Sequence, residues 1–268
     1  MENKVVDLLG RVRRSAPLVH NITNLVVINS SANILLAVGA SPVMAHSAEE
    51  AGEMAGISAA LVLNIGTPDK YSLEAMILAG RAANEKGIPV VLDPVGAGAT
   101  RFRSDAVKNI MSVCRISVLR GNASEVLSLA SADIRTRGVE SSFGISDETV
   151  SVFRGMASAE NCIVAVSGQD DLITDGRRVL RVANGHSLMT RVTGMGCGLS
   201  AVTGAFCAVA GGKDLEATAA AFAFYGLCGQ IAAAAHDRPG SFYTSFLDCL
   251  YSASEPEIRQ GVKIREQE

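Results

Sequence analysis

Thr193-Gly194-Met195-Gly196-Cys197-Gly198-Leu199-Ser200 runs directly into an apolar helical pattern. Glycines at 194, 196 and 198 carry no Cβ, so backbone N–H groups there can approach a ligand closely. A helix starting at this point adds unpaired donors and the positive end of its dipole. Both features suit a phosphate or a developing oxyanion. At such a helix start the thiolate of Cys197 would be favoured and its pKa lowered, so that it could take a proton from a substrate hydroxyl. The segment reads equally as a glycine-rich turn before a buried helix with a core cysteine, because short glycine motifs recur without ligands.

Four more groups extend the chemistry. Asp93 closes the apolar run Pro89-Val90-Val91-Leu92 and precedes Pro94. It is either a turn-forming Asp or a carboxylate aimed at a cation. Asn122 and Glu125 have capping-box spacing. Glu125 has a second use, since two carboxylates at neighbouring strand ends can hold Mg2+, often through water, beside a nucleotide triphosphate. Arg120 also ends an apolar run. A buried guanidinium requires an anion, here a phosphate or a carboxylate such as Asp93 or Glu125. Ser167-Gly168 is a turn that either hydrogen-bonds phosphate oxygens or simply reverses the chain. His20-Asn21-Ile22-Thr23-Asn24 is unusually polar between two apolar runs. It is a helix cap at Thr23 or Asn24, or a set of groups that orients a small substrate. Met44 closes the first expected strand and reads as core filler or as a ligand contact.

The elements that must position these groups follow from periodicity. Strands are expected at Ala40–Met44, Ala60–Asn64, Pro89–Asp93, Ser117–Leu119 and Ile163–Ser167. Helices are expected at Ala48–Gly56, Ser72–Lys86, Ser104–Ser112 and Asn122–Ala130. Alternation of this kind implies βαβ units and a mostly parallel sheet with helices on both faces, an α/β architecture. Leu172–Thr174 and Arg178–Val182 form a hairpin in which Asp175-Gly176 favours a type I′ turn. Ser131–Ser146 is polar and irregular, a surface excursion. From Gly196 to Ser254 the pattern is almost wholly helical. The charged tail from about 255 is expected to fray. No linker or repeat divides the chain, which reads as one domain over 1–268. Ligands of open α/β sheets bind beyond the carboxyl ends of the strands, where Asn64, Asp93, Arg120 and Ser167 all fall.

Composition removes several classes. The 268 residues are 48% hydrophobic and only 4% aromatic, with no Trp and a net charge of -3. That suits an aliphatic core between helices and sheet. Nucleic-acid binding is disfavoured for want of a basic stripe; Arg11, Arg13 and Arg14 read as a solvated helix face. Six dispersed cysteines without CxxC or Cys/His spacing fit reduced thiols in a cytoplasm, and no signal peptide is expected. Ala217–Ala235 is apolar but interrupted by Tyr225 and Gln230, so it reads as a core helix and no membrane association is expected. A dinucleotide oxidoreductase is excluded, because no early Gly-x-Gly-x-x-Gly follows a first strand.

Taken together, His20–Asn24, Ser41–Ala45, Asn64–Thr67, Asp93–Gly98, Gly121–Glu125 and Val192–Cys197 resemble a hydroxyethylthiazole kinase of the ribokinase-like superfamily. The resemblance covers about Leu8 to Ser252. It implies a three-layer ribokinase-like fold and Mg2+-dependent phosphorylation, by ATP, of the hydroxyl of 4-methyl-5-(2-hydroxyethyl)thiazole, a salvage step toward thiamine phosphate. It implies a homotrimer with the active site at a subunit boundary. Met44, Asn24 and Gly194 would line the thiazole site, and Arg120 and Ser167 would contact ATP. Asp93 and Glu125 would support the metal, and Gly194, Gly196 and Cys197 would form the catalytic anion hole. Ser167 stands where the family often has Thr, and Met195 where it usually has Thr; the second change removes a hydroxyl near the phosphate path but keeps the amide. Most ribokinase-like enzymes place an Asp base where this chain has Cys197. Two alternatives are a ribokinase-like dehydratase of hydrated nicotinamide nucleotides and a non-catalytic thiazole- or nucleotide-binding regulator.

Overall fold

The structure, a computed structural model, describes residues 1–130, 146–212 and 214–267. Among these residues nine strands form one sheet in the order β2-β1-β3-β4-β5-β6-β7-β8-β9. They are β1 (Leu18–Ile22), β2 (Ser41–Val43), β3 (Ala60–Asn64), β4 (Val90–Asp93), β5 (Val118–Asn122), β6 (Ile163–Ser167), β7 (Asp171–Thr174), β8 (Val179–Val182) and β9 (Ile264–Gln267). The pairs from β2 through β6 are parallel and those from β6 through β9 antiparallel.

Helices cover both faces, as the βαβ rhythm requires. On one face lie α1 (Glu2–Ser15) and α2 (Ile28–Val38). The same face carries α8 (Met195–Ala208), α9 (Asp214–Ala235), α10 (Pro239–Ser252) and α11 (Glu255–Gly261). Their apolar sides meet Val19, Val62, Val91 and Val118 of the sheet. On the other face lie α3 (Ala51–Ile57), α4 (Lys70–Lys86), α5 (Arg101–Val113), α6 (Ala123–Leu129) and α7 (Asp147–Glu160). They pack on Leu61, Leu63, Leu92 and Leu119. Successive strand residues point to opposite faces, so strands buried on both sides read as the unbroken aliphatic runs seen in the sequence.

Several expectations need correction. Leu18–Ile22 is a strand, so the polar His20 and Asn21 lie within the sheet, and the cap expected at Thr23 or Asn24 is not formed, because the next helix starts at Ile28 with Val27 as its N-cap. An isolated polar pair masked the strand's apolar pattern. The tail does not fray: Ser254 caps α11, and residues 264–267 pair with β8 as an edge strand. The hairpin of β7 and β8 is present, but only Gly176 in its four-residue turn has a positive φ. A type I′ turn needs two such residues. Here the Asp175 carboxylate accepts the N–H groups of Arg177 and Arg178 and shapes the turn instead. Arg13 is no idle surface charge, since it donates to the carbonyls of Leu250, Tyr251 and Ala253 at the end of α10, where a cation opposes the helix dipole. Of the expected surface excursion, 131–145 lie outside the described residues, and Ser146 caps α7. Among the described residues, one helix, Asp214–Ala235, is long and apolar enough to cross a membrane, yet 78% of its apolar window is buried in the fold.

Candidate active site

The chain leaves β1 toward β2, then crosses back over β1 to β3. This reversal makes the crevice beyond β1 and β3 a topological switch point, where open α/β sheets bind ligands. Asn24 sits in the turn after β1, while Asn64 and Asp93 are aligned partners at the ends of β3 and β4. Arg120 lies near the end of β5, and Asn122 and Ser167 are aligned partners at the ends of β5 and β6. The N-terminus of α8 arrives over the same ends.

A continuous polar chain joins these groups. Asn24 Nδ2 donates to Asn64 Oδ1 at 2.8 Å, and lies 3.4 Å from Cys197 Sγ. Asn64 Nδ2 donates to Asp93 Oδ2 at 2.8 Å, and Ser200 Oγ donates to the same oxygen at 2.7 Å. Arg120 Nη1 stands 3.7 Å from it. Arg120 Nη2 donates to Ser167 Oγ at 2.5 Å, and the guanidinium lies over the Phe222 ring at 5.9 Å. Asp93 is fully buried, with its Oδ1 left without a partner. Burial raises its pKa to about 6, against the pull of Arg120, Ser200 and Asn64. A buried acceptor without a donor is expensive, so Oδ1 is an atom prepared for something the protein itself does not supply.

Glycine is required at two positions of the helix start. Gly194 has φ +84°, and a Cβ there would lie 2.8 Å from Val27 Cγ1. At Gly196 a Cβ would come within 3.0 Å of Arg120 Nη1, so the missing side chain lets the guanidinium reach the helix. The first-turn N–H groups of α8 have no intrahelical acceptors. Met195 turns its side chain into the core, and its carbonyl accepts from Tyr225 Oη at 2.8 Å.

Cys197 departs from expectation. Burial pushes its thiol pKa up, and the neighbouring Asp93 charge pushes it further; hydrogen bonds from Asn64 and Asn24 oppose the rise. Desolvation and a like charge outweigh the helix start, so the expected lowering is corrected to a rise. Glu125 also does what its capping spacing requires: Oε2 accepts from Asn122 N, while Oε1 accepts from Gly96 N, both at 2.9 Å. It thereby fixes the loop after Asp93.

The expected residues do not all converge on one cavity. A cavity of about 740 Å³ is lined by Arg120, Ser167, Gly168, Asp171, Gly194 and Gly196 among others. Asn24, Asp93, Glu125 and Cys197 lie outside its lining. Met44 is half-buried just past β2 at the sheet edge, likewise outside the cavity. Gly168 does not offer its N–H to the cavity, because that group donates to Asp171 Oδ1 at 2.9 Å. Among the described residues, no cluster of three or more His, Cys, Asp or Glu side chains is placed to hold a metal.

Three residues that the sequence reading passed over complete the site. Ser200 is a polar residue one turn past Gly196 in an apolar helix, a signal available in the pattern. Asp171 is a charged residue opening an apolar strand. Arg103 carried no such signal: from α5 its guanidinium donates to the carbonyls of Ile65 and Val95 at 2.9 and 2.7 Å. It also donates to Gly66 at 2.8 Å, tying the loop after β3 to the loop after β4.

The model of the hydroxyethylthiazole kinase family matches residues 9–255. A protein from Desulfotalea psychrophila named hydroxyethylthiazole kinase is 48% identical, over 96% of this chain and 94% of its own. The solved structure of a hydroxyethylthiazole kinase protein from Pyrococcus horikoshii is 44% identical with a TM-score of 0.90, covering 98% of this chain and 99% of that one. A ribokinase-like superfamily protein from Enterococcus faecalis has a TM-score of 0.63 at 11% identity, over 87% of this chain and 86% of its own, a likeness of fold alone.

Proposed function

The chain belongs to the hydroxyethylthiazole kinase family, with a ribokinase-like fold, and we propose that it transfers the γ-phosphoryl group of ATP to the alcohol of 4-methyl-5-(2-hydroxyethyl)thiazole. The product serves thiamine phosphate synthesis by salvage. One observation carries the reading: the polar chain Asn24–Asn64–Asp93–Arg120–Ser167 spans five strand ends directly beneath the glycine start of α8.

Each group then has a task. The cavity of about 740 Å³ takes the nucleotide. Arg120 and Ser167 face its phosphates, the guanidinium held in place by Asp93 and Phe222. The transferring phosphoryl group sits against the first-turn amides of α8. Fixed amides are suited to its charge, because in phosphoryl transfer the protein's work is positioning and charge stabilisation. The alcohol lies on the opposite side of the helix start, near Asn24, Gly194 and Cys197, with Met44 bordering the thiazole from the sheet edge. A thiol whose ionisation is suppressed acts here by shape and by its contact with Asn24, and proton acceptance is secondary.

The donor set fits Mg2+. Asp93 Oδ1 is a buried carboxylate oxygen without a partner, and each Glu125 oxygen holds one amide and keeps a lone pair for water. When bound, the ion would offset charge on the phosphates. Asp93 would touch it directly and Glu125 through water.

The trimer with its active site at a subunit boundary belongs to the same proposal, as does a cytoplasmic location. Leu25 and Val26, 76% and 65% exposed, stand beside Asn24 and supply apolar surface where a second copy would close the thiazole site. Sedimentation would test the trimer. The activity is tested by ADP formation with ATP and Mg2+, with and without the thiazole alcohol. Thiazole-dependent ADP is expected, and its absence would overturn the reading.

A further inference from the structure

Asp171 is a buried carboxyl within a cavity built for an anion. It opens β7, is 8% exposed, and lines the cavity beside Arg120 and Ser167. An ionised carboxylate near phosphates is repelled by them, so its ionised form is of no use to phosphate binding directly. Burial, the larger influence, raises its pKa to about 7; the bond from Gly168 and the charge of Arg120 pull the other way. The protein thus keeps an acid in an unfavourable place.

Geometry supplies the reason. Asp171 Oδ1 accepts the N–H of Gly168 at 2.9 Å and closes the turn between β6 and β7. The residue before that N–H is Ser167, whose hydroxyl accepts from Arg120 and donates to the carbonyl of Gly121 at 3.3 Å. Ser167 is therefore held on one side by β5 and on the other by the turn that Asp171 closes. Without the acceptor, the Gly168 amide would be left unpaired and free to rotate the turn.

We propose that Asp171 is a positioning residue for nucleotide binding, fastening the 167–171 turn so that Ser167 and Arg120 meet the phosphates at fixed places. This rests on the nucleotide occupying the cavity, as argued above. The acceptor oxygen and its reach matter; the charge does not.

The test uses the full-length protein and a non-hydrolysable ATP analogue, with affinity measured by calorimetry and KM measured separately for ATP and for the thiazole alcohol. Asp171→Asn keeps an acceptor oxygen at the same reach and is expected to stay within about twofold of the parent, whereas Asp171→Ala weakens the analogue by about tenfold, the worth of one net hydrogen bond. KM for the thiazole stays unchanged in both. Should Asp171→Ala fail to fold, Asp171→Ser, which falls short of Gly168, serves the same arm. Arg120→Ala is the control. If it weakens the analogue while Asp171→Ala and Asp171→Ser do not, the positioning role is overturned and the nucleotide site stands. Equal losses in Asp171→Asn and Asp171→Ala overturn it too, because charge would then be the active property. If Arg120→Ala binds the analogue normally, the nucleotide reading of the cavity falls, and this inference with it.

Discussion

Replacing Cys197 by alanine separates two accounts of the anion hole. The substitution leaves the backbone amides of α8 in place, along with the glycines that admit Arg120. It deletes the sulfur's contacts with Asn24, whose Nδ2 stands 3.4 Å away, and with Asn64. A net hydrogen bond is worth about 0.5–1.5 kcal/mol, so a fall in kcat of about twofold to tenfold is expected. A general base contributes about 10²–10⁴. An ordinary thiol is only a few per cent ionised at pH 7, and burial together with Asp93 pushes this one further from ionisation. Steady-state ADP release from pH 6 to 9, at saturating ATP and thiazole, measures both the magnitude and the profile. The alanine variant should keep the parent's shape on the alkaline side. A loss of a hundredfold or more, with an alkaline rise present only in the parent, would refute the reasoning and make Cys197 the proton acceptor.

Ser200→Ala removes a donor to the buried Asp93 oxygen, and urea titration should show a loss of about 1.5–3 kcal/mol, the range for bonds to charged groups. Gly194→Ala forces a side chain onto a φ of +84° and against Val27; the backbone conformation alone costs about 1–2 kcal/mol, and a raised KM for the thiazole should accompany the lower Tm. Arg103→Met breaks three bonds to loop carbonyls, so unfolding should move by about 3 kcal/mol and kcat should fall although the residue touches no substrate. Asp171→Asn has a pH signature. The folded pKa of about 7 lies above the ordinary 3.8, so the acid's stabilising contribution is complete below 3.8 and is lost as pH rises to about 7. The variant's Tm relative to the parent should therefore climb between pH 4 and 8, by an amount on the order of 2–4 kcal/mol in stability; a constant difference would refute the shift.

Much of this protein can be read along the chain. The alternation of aliphatic runs with helical periods fixes a parallel sheet between two helical layers, because strands buried on both faces admit few other residues. Strand ends are also legible: a polar residue that terminates such a run, as Asn64, Asp93, Arg120 and Ser167 do, must emerge at one edge of the sheet. Three glycines at the start of an apolar helix mark the proposed anion site for a reason that is local and steric. What lay beyond the sequence depends on distance in space. The first strand was hidden by His20 and Asn21, since their burial is tolerated only between neighbours that the chain supplies later. Arg103 has its role only because the loops after β3 and β4 come within its reach, and Ser200 only because the first turns of α8 lie over the end of β4. The thiol of Cys197 shows the difference most clearly. Its place at a helix start is local and favours ionisation, but the fold surrounds it with apolar atoms and sets Asp93 nearby. Desolvation and charge act through space, so tertiary structure alone decided their balance.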